Sequence, residues 1–290
     1  MALEKQSHCK VNLLLNILGK RPDGFHELET VMHPVKVFDQ LSFARATRGI
    51  ELTCNLPSLP TDARNLVHRA ADQFLQAAKI TEGVRIRLVK NIPLAAGLGG
   101  GSGNAATTLL GLNELFGHPL DAAKLQEIAA RLGSDIPFFL QTGPGLGTGR
   151  GEKIESLAPF PAFKNAWLLL VHPGFGISTP WAYQHLAFFP DALNGKPGRA
   201  RRLIGELQAG DLNRAGAEFY NSLEAPALKK HPLLALFQEF LKNHGAAGAL
   251  MSGSGSTTFA VVNDEPAAMA LGEQFKSKFG KTNWLAIVPA

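Results

Sequence analysis

A glycine-rich segment carries the strongest chemical signal in the sequence. Residues 93–106 read PLAAGLGGGSGNAA, with an alternating pattern before them and a helical pattern after them. Glycines let backbone N–H groups approach an anion closely, and a helix start adds unpaired N–H groups and a positive dipole end. The segment therefore predicts a cradle for phosphate, and the alternative interpretation is an ordinary glycine-rich turn.

Several common phosphate and metal motifs are absent from the sequence. It contains no G-x-x-x-x-G-K-[ST], no strict G-x-G-x-x-G, and no H-R-D or D-F-G set. It also lacks H-E-x-x-H, and two cysteines cannot form a thiolate zinc cage. The predicted cradle is therefore not that of a P-loop NTPase, a dinucleotide-binding domain or a protein kinase.

The elements that must position this segment follow from the hydrophobic periodicity. Alternation predicts strands over residues 10–18, 25–37, 40–45, 50–55, 84–89, 167–171 and 284–288, and a strand–loop–strand unit over 249–262. Helical spacing predicts helices over residues 65–79, 104–116, 122–132 and 266–279, one beginning at Thr179-Pro180, and two or three within 199–244. Turn chemistry at residues 19–24 predicts a hairpin, and residues 143–151 predict a structural turn.

The order of these elements indicates the fold class and the domains. Strands and helices are mixed in both halves, which favours two α+β domains over a doubly wound sheet. Two prolines lie close together where the composition shifts, at residues 158–165. We therefore expect an N-terminal domain over residues 1–160 and a C-terminal domain over residues 161–290.

Composition excludes several classes of protein. The 290 residues are 45% apolar and 18% charged, as expected of a globular protein, and the net charge of +5 is scattered. A scattered charge of this kind suits an anionic small molecule at least as readily as nucleic acid, and the alternative is that it only keeps the protein soluble. We expect a small-molecule partner, no nucleic acid and no membrane. Cys9 and Cys54 are the only cysteines in the sequence. There is no apolar run of membrane-spanning length and no signal-peptide pattern, so we expect a reducing, cytoplasmic location.

The sequence resembles the GHMP kinase superfamily. The glycine-rich segment is similar to its second motif, and further matches occur in the superfamily's order at residues 10–15 (KVNLLL), 21–28 (RPDGFHEL), 132–139 (LGSDIPFF), 172–174 (HPG) and 251–260 (MSGSGSTTFA). Together they resemble the GHMP kinases that act on a cytidine-diphosphate-linked sugar alcohol. There are departures: Gly103 replaces a second serine, His8-Cys9 precedes the lysine, and Phe25 stands where tyrosine is common.

The resemblance implies two catalytic residues. Asp135 would accept the proton of the substrate hydroxyl, although from its position alone it could simply cap the next short helix. Lys10 would orient the acceptor and stabilise developing charge, and the alternative is a solvated lysine at a sheet edge. Asn12 would be its hydrogen-bonding neighbour near the substrate.

The remaining roles also follow from the resemblance. Residues expected to bind ATP are Pro93, Ala95, Gly97, Leu98, Gly99, Gly100, Gly101, Ser102, Gly103 and Asn104, together with Asn65, which as a plain helix cap is equally well explained. Residues expected to bind the substrate are Phe25 and Tyr183 on the two faces of a cytosine ring, His26 at its edge, and Thr179, Gly253, Ser254 and Gly255. The alternatives are that Phe25 and Tyr183 pack in the core, that His26 is an ordinary surface histidine, and that residues 253–255 form a tight turn between strands.

The implied activity is ATP-dependent phosphorylation of the 2-hydroxyl of that sugar alcohol, on the non-mevalonate route to isoprenoid precursors. ATP would be the co-substrate and Mg²⁺ would neutralise its charge, with no protein ligand for the metal identified. The implied fold joins an N-terminal domain like ribosomal protein S5 domain 2 to a ferredoxin-like C-terminal domain, as a monomer or homodimer. The alternatives are another GHMP kinase, such as one acting on homoserine or mevalonate, and a non-catalytic nucleotide sensor.

Overall fold

The computed structural model describes residues 2–290, and mixed strands and helices run through the whole of this range. The strands are β1 Leu3–Lys20, β2 His26–Ala46, β3 Ile50–Cys54, β4 Gly83–Val89, β5 Gly145–Thr148, β6 Lys153–Ser156, β7 Trp167–His172, β8 Tyr220–Asn221, β9 Gly248–Met251, β10 Thr258–Val262 and β11 Trp284–Pro289. The helices are α1 Leu66–Ala77, α2 Gly100–Leu115, α3 Ala122–Leu132, α4 Thr179–His185, α5 Pro190–Leu193, α6 Arg199–Ala209, α7 Leu212–Ala217, α8 Glu224–Lys230, α9 Leu233–Asn243 and α10 Glu265–Phe279. The predicted α+β class is confirmed.

One compact unit comprises residues 2–9, Val37–Ile92 and Gly99–Thr142. In its sheet, β4 pairs in parallel with β3 and antiparallel with β2, where Phe43 lies opposite Ile86. Helices α1, α2 and α3 contact one another. Gly111 of α2 admits the buried Phe43 ring, because a Cβ there would lie 2.6 Å from a ring carbon. This close approach holds α2, which begins with the second half of the glycine-rich segment, against the sheet.

The other compact unit comprises Lys10–Lys36, Pro93–Leu98 and Gly143–Ala290. Strand β1 pairs in parallel with β8, where Leu14 lies opposite Tyr220. Strand β5 pairs antiparallel with β2 and with β6. The first two strands of the chain therefore contribute residues to both units, and the predicted boundary near residue 160 stays a prediction.

A four-stranded antiparallel sheet in this second unit has the order β11-β7-β10-β9. Along the chain, β7 comes first and is followed by helices. Strands β9 and β10 come next, and α10 then leads to β11. This is the β-α-β-β-α-β succession of the ferredoxin-like half that was expected. Its apolar core joins sheet residues such as Leu169 to Phe237 of α9 and Phe275 of α10.

Several elements differ in extent from the prediction. The two strands expected over residues 25–45 are one strand, β2, and α2 begins at Gly100 instead of residue 104. The hydroxyl that caps α4 belongs to Ser178, which accepts from Trp181 N–H, and Thr179 is the first helical residue. Four helices lie within residues 199–244, where two or three were expected. Over residues 2–290, none of the helices combines the length and the apolar character that crossing a membrane requires.

Candidate active site

Lys10 lies in β1 with only 3% of its surface exposed. Its Nζ is close to Asn12 Oδ1, and Asn12 Nδ2 donates to Thr30 Oγ1 at 2.8 Å. Thr30 Oγ1 in turn donates to the Leu14 carbonyl at 2.6 Å, so the Asn12 amide is fixed with its oxygen toward the lysine. The alternative of a solvated lysine is therefore wrong, and the buried cation has an ordered polar neighbour.

The first half of the glycine-rich segment contacts both β1 and the loop that follows β9. Lys10 N–H donates to the Leu98 carbonyl at 2.9 Å, and Ser252 Oγ donates to the Gly97 carbonyl at 2.9 Å. Asn12 N–H donates to the same Ser252 Oγ at 3.3 Å. Three segments far apart in the sequence, each carrying a predicted site residue, are thus joined around one serine hydroxyl.

Gly97 is required by this arrangement. Its φ is 77°, and a Cβ there would lie 2.0 Å from the Ser252 carbonyl oxygen. Gly253 lies on the other side of the contact, where a Cβ would be 3.0 Å from the Gly97 carbonyl and 3.3 Å from Asn12 Oδ1. Asn221 Nδ2 donates to the Gly253 carbonyl at 2.8 Å and so fixes the position of the loop that follows β9.

The predicted residues after β7 contact the same loop. Thr179 Oγ1 and Ser254 Oγ are 2.8 Å apart. His172 Nδ1 lies 3.3 Å from Ser256 Oγ and 3.4 Å from Thr257 Oγ1, and burial lowers the pKa of its imidazole. Ala95 has a φ of 51°, in the left-handed region, and faces Gly176, where a Cβ would lie 2.6 Å from the alanine Cβ. The loop therefore presents hydroxyl and backbone groups in a fixed arrangement.

Three of the predicted substrate-binding residues are aromatic and lie on the second unit. The rings of His26 and Tyr183 are 5.1 Å apart. Burial and the nearby Lys20 charge lower the pKa of His26, which favours the neutral imidazole. Phe25 is 50% exposed, so it is not a core aromatic, and the Arg150 guanidinium lies 4.6 Å from its ring centre. An exposed ring of this kind can receive a flat ligand.

The second half of the glycine-rich segment lies in the first unit and begins α2. Gly99 precedes the helix with a φ of 67°, and Gly101 is exposed at its start. Leu66 of α1 is the nearest side chain, 3.8 Å from the position of a Cβ on Gly101. Gly101 is therefore open to solvent at the helix start, which suits the approach of an anion, whereas Gly100 lies against Ile92 and Lys90.

Gly103 is buried against the backbone of β1. A Cβ there would lie 2.7 Å from the His8 carbonyl oxygen and 3.3 Å from Phe139. The His8 ring also contacts the Phe139 ring, at 5.3 Å between centres. The serine that is common in this superfamily at position 103 would need these groups to shift, so the departure has a steric basis in this chain.

Asn65 is the N-cap of α1. Its Oδ1 accepts from Val67 N–H at 2.9 Å and its Nδ2 donates to the Pro60 carbonyl at 2.7 Å. These contacts account for the residue as a structural cap, since both ends of its amide have partners. Its neighbour Leu66 approaches Gly101, which places the cap at the start of the helix that flanks the glycine-rich segment.

Asp135 is half-buried in the turn that follows α3. The next element is a short 3-10 helix, Pro137–Leu140, whose N-cap is Ile136 and which has no side-chain cap. Asp135 is therefore not the N-cap residue of this helix, which the alternative interpretation had predicted. Phe139 of this helix lies against Gly103, so the turn and the start of α2 are close neighbours within their unit.

Among residues 2–290, the structure shows no group of three or more His, Cys, Asp or Glu side chains that could hold a metal ion. A Mg²⁺ ion that is bound to a nucleotide commonly takes phosphate oxygens and water as its main ligands, and such a mode needs no cluster of this kind.

Some residues of the site were missed from sequence. Ser252 and Thr30 join Lys10 and Asn12 to the loops, and Asn221 holds the loop after β9. Ser252 lies inside the predicted SGSGS turn, so its motif could have identified it. Thr30 lies at a buried position of β2, and Asn221 lies in a two-residue strand where helix was expected, so neither had a comparable signal.

Comparisons with known proteins identify the family. The GHMP kinases N terminal domain family matches residues 65–143, and the GHMP kinases C terminal family matches residues 200–281. A protein from Pelotomaculum thermopropionicum named 4-diphosphocytidyl-2-C-methyl-D-erythritol kinase is 41% identical over 277 residues, which cover 95% of this chain and 94% of that protein. This chain belongs to the 4-diphosphocytidyl-2-C-methyl-D-erythritol kinase family. A relative of the same name from Syntrophus aciditrophicus is 42% identical and covers 90% of each chain.

Solved structures confirm the predicted GHMP kinase fold. A crystal structure of 4-(cytidine 5′-diphospho)-2C-methyl-D-erythritol kinase superposes with a TM-score of 0.82 at 32% identity, covering 99% of this chain and 100% of that chain. A homoserine kinase from Cytophaga hutchinsonii superposes with a TM-score of 0.78 at 20% identity, covering 99% of this chain and 94% of that one, and shows the shared fold alone. Membership of this kinase family implies ATP as the co-substrate.

Proposed function

We propose that this protein transfers the terminal phosphoryl group of ATP to the 2-hydroxyl of 4-(cytidine 5′-diphospho)-2-C-methyl-D-erythritol, on the non-mevalonate route to isoprenoid precursors. The observation that carries this proposal is the 41% identity, across 95% of the chain, to a kinase named for that substrate. The implied reaction forms a bond between the substrate oxygen and the γ-phosphorus, breaks the bond to the β-phosphate, and releases ADP.

In this proposal the glycine-rich segment holds the triphosphate of ATP. The backbone N–H groups at the start of α2 would bind phosphate oxygens, and Ser102 would add a hydroxyl. The exposure of Gly101 at the start of the helix supports this role. Asn65 would approach the adenosine in addition to capping α1. The residues proposed to bind ATP are Asn65, Pro93, Ala95, Gly97, Leu98, Gly99, Gly100, Gly101, Ser102, Gly103 and Asn104.

Asp135 is proposed as the base and Lys10 as the electrostatic partner of the reaction. The aspartate would take the proton of the acceptor hydroxyl as the oxygen attacks phosphorus. The lysine cation, with Asn12 fixing its position, would offset negative charge that develops on the transferred group. Its burial supports this role, because a cation shielded from water interacts more strongly with nearby charge.

The substrate's cytosine ring would lie against Phe25, with Tyr183 as its second aromatic wall and His26 hydrogen-bonding its edge. The exposure of Phe25 and the closeness of His26 to Tyr183 support this arrangement. The loop hydroxyls and N–H groups of Thr179, Gly253, Ser254 and Gly255 would bind the diphosphate side of the substrate. Mg²⁺ bound to ATP, a cytoplasmic location and a monomeric or homodimeric state belong to the same proposal.

The decisive experiment measures ADP release from ATP and Mg²⁺ with four acceptors: the cytidyl-diphospho-methylerythritol substrate, homoserine, mevalonate and galactose. We expect turnover with the cytidyl substrate alone. Replacement of Asp135 by Asn should lower kcat by a factor of roughly 10² to 10⁴, because the base is lost, while ATP binding measured by calorimetry is retained.

Two results would contradict the proposal. Unchanged turnover in Asp135→Asn would remove the assigned base. ATP binding without turnover of any of the four acceptors would favour a non-catalytic nucleotide sensor.

A further inference from the structure

A buried carboxylate in the first unit is bonded to the residues that precede the glycine-rich segment and to a residue in the first turns of α2. Asp39 of β2 is completely inaccessible to solvent. Its Oδ1 accepts from the N–H groups of Asn91 and Ile92 at 2.7 and 2.9 Å. Its Oδ2 accepts from Asn104 Nδ2 at 2.9 Å. One carboxylate therefore joins the two residues just before the segment to Asn104 near its end.

Lys90 completes this buried cluster. Its Nζ forms an ion pair with Asp39 and donates to Asn104 Oδ1 at 3.1 Å. Its backbone is held on both sides by Asn55, whose Oδ1 accepts from Lys90 N–H at 2.7 Å and whose Nδ2 donates to the Lys90 carbonyl at 3.2 Å. The Lys90 side chain is 6% exposed, and its Nζ lies 3.3 Å from where a Cβ on Gly100 would be.

Stability alone is a weak reason for such a cluster. Burying two charges costs free energy of desolvation, and apolar residues of similar volume often replace a buried ion pair without loss. The hydrogen bonds of the Asp39 carboxylate end on residues 90–92 and on residue 104, and Asn104 Nδ2 also donates to Ser7 Oγ at 3.0 Å. These hydrogen bonds fix the distance between residues 91–92 and residue 104.

We propose that Asp39, together with Lys90 and Asn104, is a positioning group that holds the glycine-rich segment in its ATP-binding conformation. Asp39 acts through backbone N–H groups and Asn104, without touching ATP. The inference rests on the proposed role of this segment in binding ATP. It predicts that loss of the Asp39 carboxylate weakens the binding of ATP more than the binding of the acceptor substrate, because residues 91–92 and 104 are no longer joined.

The test compares Asp39→Asn with the parent enzyme in steady-state assays, after circular dichroism has confirmed folding. Asparagine has nearly the same volume as aspartate. Its NH₂ group, however, would replace an oxygen that accepts two hydrogen bonds, so two donors would lose their acceptor. We expect KM for ATP to rise about tenfold or more, while KM for the cytidyl substrate stays within about twofold. If the single variant does not fold, Asp39→Asn/Lys90→Met carries the same test, since it lacks the carboxylate and leaves no unpaired buried charge.

A charge introduced at the exposed Gly101 separates this inference from the proposal it rests on. Gly101→Asp adds a negative charge at the helix start and should raise KM for ATP. Gly205→Asp, the same change at an exposed glycine of α6 outside the ATP-binding set, is the matched control and should leave KM for ATP as it is in the parent. If Gly101→Asp raises KM for ATP and the folded Asp39 variant does not, the positioning inference is overturned. Equal rises of both substrates' KM values in the Asp39 variant would overturn it too. If neither variant affects ATP, the segment itself is not the ATP site.

Discussion

Single atoms decide which residues this site tolerates. At position 103 the nearest group is a backbone carbonyl, that of His8, which cannot move aside as a flexible side chain could. At position 101, by contrast, a Cβ would have 3.8 Å of clearance. Two glycines two residues apart in the same helix turn therefore have different reasons for being glycine.

Gly103→Ser should lower the free energy of unfolding by about 1–3 kcal/mol, because the added side chain overfills a packed contact. Urea unfolding followed by circular dichroism measures the change. Gly101→Ser is the matched control and should fall within about 0.5 kcal/mol of the parent. Equal losses in the two variants would show that the His8 contact does not limit position 103.

His33 links stability to pH. Burial, with a contribution from Lys36, lowers the pKa of its imidazole to about 3 in the folded protein, against 6.5 for the free side chain. Below pH 6.5 the imidazole therefore binds a proton in the unfolded chain but stays neutral in the folded protein. The free energy of unfolding that is present above pH 6.5 is lost progressively as the pH falls toward 3.

Between pH 7.5 and 5.0 this residue should remove about 2 kcal/mol from the free energy of unfolding. His33→Leu should lack that part of the decline, as measured by urea unfolding at both pH values. The exposed His118, replaced by Asn, serves as the control and should leave the decline as it is in the parent. The same decline in His33→Leu as in the parent would be the contradicting result.

At the scale of elements, regular periodicity predicted most strands and helices to within a few residues. The errors have physical causes. Two strands were predicted over residues 25–37 and 40–45, but Asp39 between them is buried and paired with Lys90, and the strand continues. A helix was predicted from residue 104, but Gly103 packs against His8 and the helix starts at Gly100. Such pairings between distant residues are not visible in a local pattern.

The site was predictable where a motif carried it. Lys10, Asn12, Gly97 and the loop after β9 were named from sequence and are joined by hydrogen bonds within their unit. Thr30 and Asn221 were not named, because a buried polar residue has no signature until its partner is known. The roles of all these residues in binding and catalysis stay predictions.

The fit between the Gly97 segment and the Ser252 loop can be tested by substitution. Gly97→Ala meets both a positive φ and a Cβ position 2.0 Å from a carbonyl oxygen. Gly174→Ala is the matched control, because its φ of 85° is similar but no atom lies within 4 Å. Gly174→Ala should cost about 1 kcal/mol of unfolding free energy from backbone strain, and Gly97→Ala at least about 2 kcal/mol more. Equal costs in urea unfolding would mean that the loops do not fit closely.

At the scale of the whole molecule, chain order and compact units do not coincide. The second unit takes Lys10–Lys36 and Pro93–Leu98 from the N-terminal half. Leu15, Ile17 and Leu28 from these residues belong to the same apolar core as Phe237 and Phe275. A fragment cut at the predicted boundary would lose this part of its core.

We therefore expect residues 161–290, produced alone, to unfold without a cooperative transition in urea. Co-production with residues 1–160 should restore a cooperative transition and kinase activity, because the missing strand and core residues return. A sharp transition in the isolated fragment would show instead that the C-terminal half is an autonomous domain.

The contact between β1 and β8 also bears on how the protein is made. Ile17 N–H donates to Ser222 Oγ, 205 residues further along the chain. Strand β2, which pairs with the other edge of β1, follows at once, but a ribosome adds about 5–20 residues each second, so the β8 side of β1 waits on the order of ten seconds or more for its partner. During that time the apolar residues of β1 have no completed core around them. We infer that the nascent N-terminal half depends on chaperones more than its own sequence would suggest, and that slowing translation between these two strands would lower the yield of active enzyme.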